Sequence, residues 1–150
     1  MKSLFDTETY NEVKQRLNNL TEQSPRQWGK MESAQMLAHC SEAIKMALGE
    51  VRPPRMWLGR IIGLVVKPLV FRNDGPMRPN SPTVKGLEVE DNRDLETERS
   101  RLLGLVERFS VTGPKEFTKY PHSFFGRLTP QEWAILMYKH LDHHLRQFGV

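Results

Sequence analysis

An all-α fold, a four-helix bundle, is expected from three features. Four stretches carry apolar residues at three- and four-residue steps, the period of a helix with one buried face. No strand-like alternation of useful length occurs anywhere. A long connection rich in proline and partly apolar, residues 51–90, separates the second stretch from the third. At 150 residues the chain suits one domain spanning 1–150, large enough to bury a core without disulfides. It holds no internal repeat and no low-complexity tract.

The first helix is expected to begin near Asp6 or Thr7, with Glu8 in its first turn. Tyr10, Val13, Leu17 and Leu20 form its inner stripe, and Ser24-Pro25 ends it or starts a turn. The second starts near Glu32 or Ser33 and stops at about Gly49. Met36, Cys40, Ala43 and Ala47 share its apolar face, with His39 on the shoulder.

In the connection, Pro53, Pro54, Pro68, Pro76, Pro79 and Pro82 break any long helix. Residues 56–66 can still form a short one, with Gly59 and Gly63 four apart. This segment is expected to be an apolar flap on the bundle or a subunit contact, ahead of a membrane-surface role. Arg72-Asn73-Asp74-Gly75-Pro76 reads as a turn, and the loop continues to about Thr83.

The third bundle helix is expected over 91–110, with Leu95, Leu102, Val106 and Phe109 inside and Gly113-Pro114 beyond its end. An aromatic loop containing His122 follows. The fourth helix has a strong start: Thr129 as cap, Pro130 at the first helical position and Glu132 completing a capping box. It is expected to run to about Phe148.

Hydrophobic residues make up 38% of the chain and charged ones 27%, which suits a soluble globular protein rather than a disordered one. The one cysteine, Cys40, permits no internal disulfide and fits a reducing, cytoplasmic location. Net charge is +4, with a pI near 9.4. The basic residues are scattered, loosest around Arg52, Arg55, Arg60, Lys67, Arg72 and Arg78, so no nucleic-acid partner is expected. The first residues lack the apolar core of a signal peptide. The most apolar run, Ile61-Ile62-Gly63-Leu64-Val65-Val66, falls far short of the ~20 residues a transmembrane helix needs.

The chemistry is concentrated late in the chain. Three of five histidines fall within residues 138–147. At about 100° per residue, His140 and His144 lie on the middle of the core-facing stripe, one turn apart. His143 lies at its edge and Asp142 on the opposite, solvent side. Two inward imidazoles need partners for their ring nitrogens, and a metal or hydrogen bonds to carbonyls or carboxylates would serve. No Glu follows His140, so the H-E-x-x-H pattern is absent. His39 and His122 remain as candidates for a third ligand, His39 on the more rigid element. Cys40 is expected as a small core residue, and Trp28, Trp133 and Tyr138 as core or pocket wall. His143 is expected solvated, with a place on the substrate side as the other reading.

The residues around Trp28 and Met36-Leu37-Ala38-His39, together with Phe125-Gly126-Arg127-Leu128-Thr129-Pro130 and the stretch 138–148, resemble the DinB/YfiT-like family of helical metalloenzymes, and a small uncharacterised branch of it. The resemblance spans nearly the whole chain. It implies a four-helix bundle in which a histidine of the second helix and H-x₃-H of the last bind a divalent metal. The matching positions are His39, His140 and His144. The family often follows its last histidine with Arg-Gly-Gln; here Leu145-Arg146-Gln147 stands, and only Gln147 keeps its place. Zinc, nickel, iron or manganese would suit three imidazoles, which leave the ion's full charge on its open positions and lower the pKa of a bound water or thiol. Characterised relatives resemble thiol-dependent transferases and isomerases that use a low-molecular-weight thiol.

A metal-dependent transferase or hydrolase acting on a small molecule is therefore the leading expectation. A bundle that binds metal or ligand without turnover is the alternative. A weaker one is an interaction module, or a homodimer contact, using residues 56–71.

Overall fold

A computed structural model describes residues 1–81, 86–112 and 119–150. It contains five α-helices: α1 (Thr7–Asn19), α2 (Ser33–Ala47), α3 (Trp57–Val70), α4 (Leu95–Thr112) and α5 (Pro130–Gln147). Among the described residues there is no β-strand, only an isolated bridge between His122 and Gly126. Helix α2 packs most extensively on α4 and also on α5, and α1 packs on α4 and α5. The core runs between these four, with Leu17, Leu37, Ile44, Leu102, Trp133 and Leu145 buried completely or nearly so. Burying such side chains contributes about 1.5–3 kcal/mol each.

Local chemistry explains the helix ends. At α2, the Glu32 N–H donates to Gln35 Oε1 at 2.9 Å, and Gly49 beyond the far end takes φ +79°. At α5, the expected capping box forms in both directions. The Glu132 N–H donates to Thr129 Oγ1 at 3.2 Å, and the Thr129 N–H to Glu132 Oε2 at 2.8 Å. Helix α4 begins later than the expected residue 91. Asp94 Oδ1 accepts from the Thr97 N–H at 2.8 Å, so Asp94 is the better cap and outcompetes Asp91. The expected stop at Gly113-Pro114 lies outside the described residues, as does the end of the loop at Pro82 and Thr83.

Two expectations fail on α5. Asp142 does not face solvent: it is 4% exposed. Arg16 of α1 reaches over it and donates from Nη1 to Asp142 Oδ1 at 2.7 Å, while Arg146 Nε donates to Oδ2 at 2.8 Å. His143 is not solvated either, at 8% exposed, because Trp28 and the backbone of Met77 stand against it. A single-helix wheel shows which residues share a face. It does not show how many faces neighbours will cover.

Helix α3 forms where a short helix is expected over 56–66, but it runs on through Pro68 to Val70 instead of stopping before it. Pro68 deprives the Leu64 carbonyl of its helical donor, but Leu64 is exposed and water can replace it. Only Gly59 and Gly63 of α3 are buried, against the backbone of Phe124. A Cβ at Gly59 would come within 2.6 Å of Phe124 O, and at Gly63 within 2.8 Å. The paired glycines are thus a seat for the 122–126 loop. Most apolar side chains of α3, from Trp57 to Leu69, point away from the protein instead of packing on it as a flap; Val70 at its end packs on the core.

Candidate metal centre

His39 of α2 and His140 and His144 of α5 converge. One ligand atom from each lies within 4.8 Å of the other two. His39 Nε2 and His140 Nε2 are 3.0 Å apart. Two nitrogens bound at ~2.0–2.1 Å to one ion would stand about 3–3.5 Å apart, so the cluster is close to the spacing that ligation demands. His39, on the shoulder of the α2 wheel, is turned fully inward at 3% exposure. His122, the rival third ligand, is elsewhere engaged: its Nδ1 accepts from the Phe124 and Phe125 N–H groups at 3.0 and 3.2 Å.

The tautomers follow from the outer partners. His39 Nδ1 lies 2.7 Å from the Leu87 carbonyl, which can only accept. The ring therefore carries its proton on Nδ1 and leaves the Nε2 lone pair facing the cluster. His144 Nδ1 lies 2.8 Å from Gln147 Oε1. Gln147 Nε2 donates to the Trp28 carbonyl at 2.7 Å, which fixes the amide with its oxygen toward His144. His144 is thereby also an Nδ1–H tautomer with Nε2 free. Support of this kind orients ligating imidazoles and raises their basicity.

All three rings are held neutral. Burial, and then His144 and His39, pushes His140 well below the usual histidine range. Burial lowers His144 to about 3, with His39 contributing. Burial lowers His39 too, although its bond to Leu87 opposes the shift. A cation repels protonated imidazoles and binds neutral ones, so three rings that resist protonation form a donor set suited to a metal. Cys40 is no rival nucleophile, because full burial raises its thiol far above neutrality.

A cavity of about 520 Å³ opens beside His144. Trp28, Met31, Glu88, Glu90 and His143 help line it. Of the aromatic residues assigned to core or pocket wall, Trp28 is therefore wall, while Trp133 and Tyr138 are core. The His143 ring stands 5.0 Å from that of His144 but is not one of the three clustered ligands.

Sequence reasoning misses several residues that build the site. Leu87 contributes only its carbonyl, so its side-chain type carries no trace of the role. The preceding Gly86, which adopts φ +95°, is the available hint. Gly29 is a stronger one. It adopts φ +80°, and a Cβ there would lie 2.5 Å from Gln147 Nε2, so glycine lets the loop approach the amide that orients His144.

The chain matches, over residues 2–149, a family described as "Protein of unknown function (DUF1569)". A match covering nearly the whole chain places it in that family, and the chain is a DUF1569 protein. No curated protein and no solved structure matches it. Among the described residues, no helix is long and apolar enough to cross a membrane.

Proposed function

We propose that this chain is a divalent-metal-dependent enzyme whose ion is held by His39, His140 and His144, in a four-helix bundle of the DinB/YfiT-like kind. One observation carries the reading. Three neutral imidazoles from two helices, about a hundred residues apart in sequence, bring their ligand atoms within 4.8 Å of one another. The order of the ligands along the chain and the mutual packing of α1, α2, α4 and α5 support the bundle assignment.

A divalent ion bound there supplies Lewis acidity, which brings the pKa of water or a thiol toward neutrality. The chain's own groups do the rest. Leu87 and Gln147 hold two ligand rings in the tautomer that offers Nε2. The cavity beside His144 admits a small molecule, and a low-molecular-weight thiol is of suitable size. Transfer to that thiol, or hydrolysis, is the reaction class. Zinc, nickel, iron or manganese fits three imidazoles, and supply selects among them.

Metal analysis of the purified protein should give close to one ion per chain, and the His39, His140 and His144→Ala triple variant should lose it. A triple variant that keeps its metal would remove the site. A panel of thiols and electrophiles then tests turnover. A second reading, metal binding without catalysis, draws on the engagement of His143 by the Met77 backbone, which ties up the acid–base group standing beside His144. Stoichiometric metal with no turnover across the panel would favour it.

A further inference from the structure

We infer that helix α3 is a membrane-surface anchor, which lays its outer face on the headgroup region of an anionic lipid bilayer. The helix is split by function. Gly59 and Gly63 form its inner side and sit on the backbone of Phe124. At about 100° per residue, the arc opposite the glycines carries Trp57, Leu58, Ile61, Leu64, Val65 and Leu69. All six are exposed, Leu64 at 76% and Trp57 at 73%. No polar side chain interrupts that arc. A continuous apolar strip of this size on the outside of a folded domain marks a surface meant to be covered.

Charge identifies what covers it. Arg52, Arg55, Arg60, Lys67, Arg72 and Arg78 lie in residues 51–81, against the single acid Asp74. That surplus of five exceeds the net +4 of the whole chain, so the rest of the protein is slightly acidic. The chain's basic surplus therefore falls in the same segment as its exposed apolar strip. Arg60 on the helix, and Arg52, Arg72 and Arg78 in the segments flanking it in sequence, are exposed. An apolar strip within a basic segment, with a tryptophan at one end, has the make-up of an interfacial helix. A second copy of this chain would bring the same basic segment against itself, whereas anionic headgroups neutralise it. The helix is also too short to span a bilayer, and its buried glycines keep it attached to the domain, so it lies on the surface.

The test uses the full-length protein and extruded vesicles, either of phosphatidylcholine alone or mixed with phosphatidylglycerol. Trp57 is the reporter in a Trp28→Phe background, since Trp133 is fully buried and Trp28, half-buried against His143, would add its own emission. Mixed vesicles should sediment the protein and shift its tryptophan emission to the blue, and pure phosphatidylcholine should do so far less. Raising salt should weaken binding. The Leu64→Asp, Val65→Asp variant should abolish sedimentation. The Arg60→Glu, Arg72→Glu variant should weaken binding to mixed vesicles roughly tenfold or more. Both sets of changes are at exposed positions, and unchanged thermal melting and metal content would show that fold and metal centre are intact. Wild-type protein that ignores anionic vesicles overturns the inference. So does a dimer by sedimentation velocity that the Leu64→Asp, Val65→Asp variant dissociates, because α3 would then cover itself.

Discussion

Helix α3 is the most apolar helix in the chain, while α5 carries three histidines, a lysine and an aspartate. Yet 13 of the 18 residues of α5 are buried, and α3 buries only two glycines. Hydrophobicity alone would rank them the other way. The difference lies in what each helix meets. Helix α5 runs between α1 and α2, beneath the Trp28 loop and the 72–81 segment, and its buried charged groups find partners, while the Trp133 indole N–H is left without one among the described residues. Asp142 has Arg16, Lys139 Nζ donates to the Gly75 carbonyl at 3.1 Å, and His144 has Gln147. Helix α3 meets the 122–126 loop through its narrowest face, and touches the bundle near its end, where Lys67 pairs with Glu132 and Val70 packs on the core. A buried polar group with a partner is tolerable, and an apolar face with no partner stays outside.

The contrast predicts that polar residues of α5 matter more to stability than apolar residues of α3. Asp142→Ala should have the largest effect. It removes the buried carboxylate that Arg16 and Arg146 share and should cost about 3 kcal/mol, the low end for breaking a buried pair, because Arg16 keeps some exposure and its bonds to Glu12 and the Val150 carbonyl. Urea unfolding measures it, and a loss below about 1 kcal/mol would mean the pair behaves like a surface one.

Gln147→Leu comes next. It removes the acceptor of the His144 Nδ1 proton and should lower metal affinity about 10–100-fold with little change in fold. Gly29→Ala should act in the same direction by crowding Gln147. Competition against a chromogenic chelator reads both; equal affinity in wild type and Gln147→Leu would detach the amide from the centre.

Protonation gives a third test. Burial, with Arg55 adding, lowers His122 to about 4, against an unfolded value near 6.5. Between those values the unfolded chain binds more protons than the folded one. Stability should therefore fall as pH drops from about 6.5 toward 4, and level off below for this group. His122→Asn, which keeps an acceptor for the Phe124 and Phe125 N–H groups, should flatten that slope. An unchanged slope would assign the acid sensitivity to other groups.

On α3, Gly63→Leu should lift the helix from Phe124 and speed amide exchange across 57–70, leaving α5 protected. The smallest effect belongs to Leu64→Gln, which should alter global stability by less than about 0.5 kcal/mol despite removing a leucine. A leucine that costs more than Asp142 would reverse the comparison.

Much of the site is legible in the residues themselves. The spacing of His140 and His144 puts both on one face of a helix whose start Thr129, Pro130 and Glu132 announce. Their pairing with His39 comes only through a family resemblance, since the α2 wheel leaves His39 on a shoulder. The carbonyls of Leu87 and Trp28 are illegible in principle, because every residue carries the same backbone acceptor. Asp142 defies the helical wheel because its partner, Arg16, is 126 residues away.

Periodicity, caps and breakers are sufficient for the helices, because a helix is decided by local hydrogen bonding and by one repeating face. They place α1, α2, α4 and α5 within a few residues, and leave α3 as a short optional helix. Which side of each helix is covered, and by what, depends on contacts between residues far apart in the chain. Packing turns His39 inward and buries Asp142 and His143. It also leaves the most apolar helix facing out, because burial is a property of a residue together with its neighbours, and those neighbours are assembled only when the chain folds.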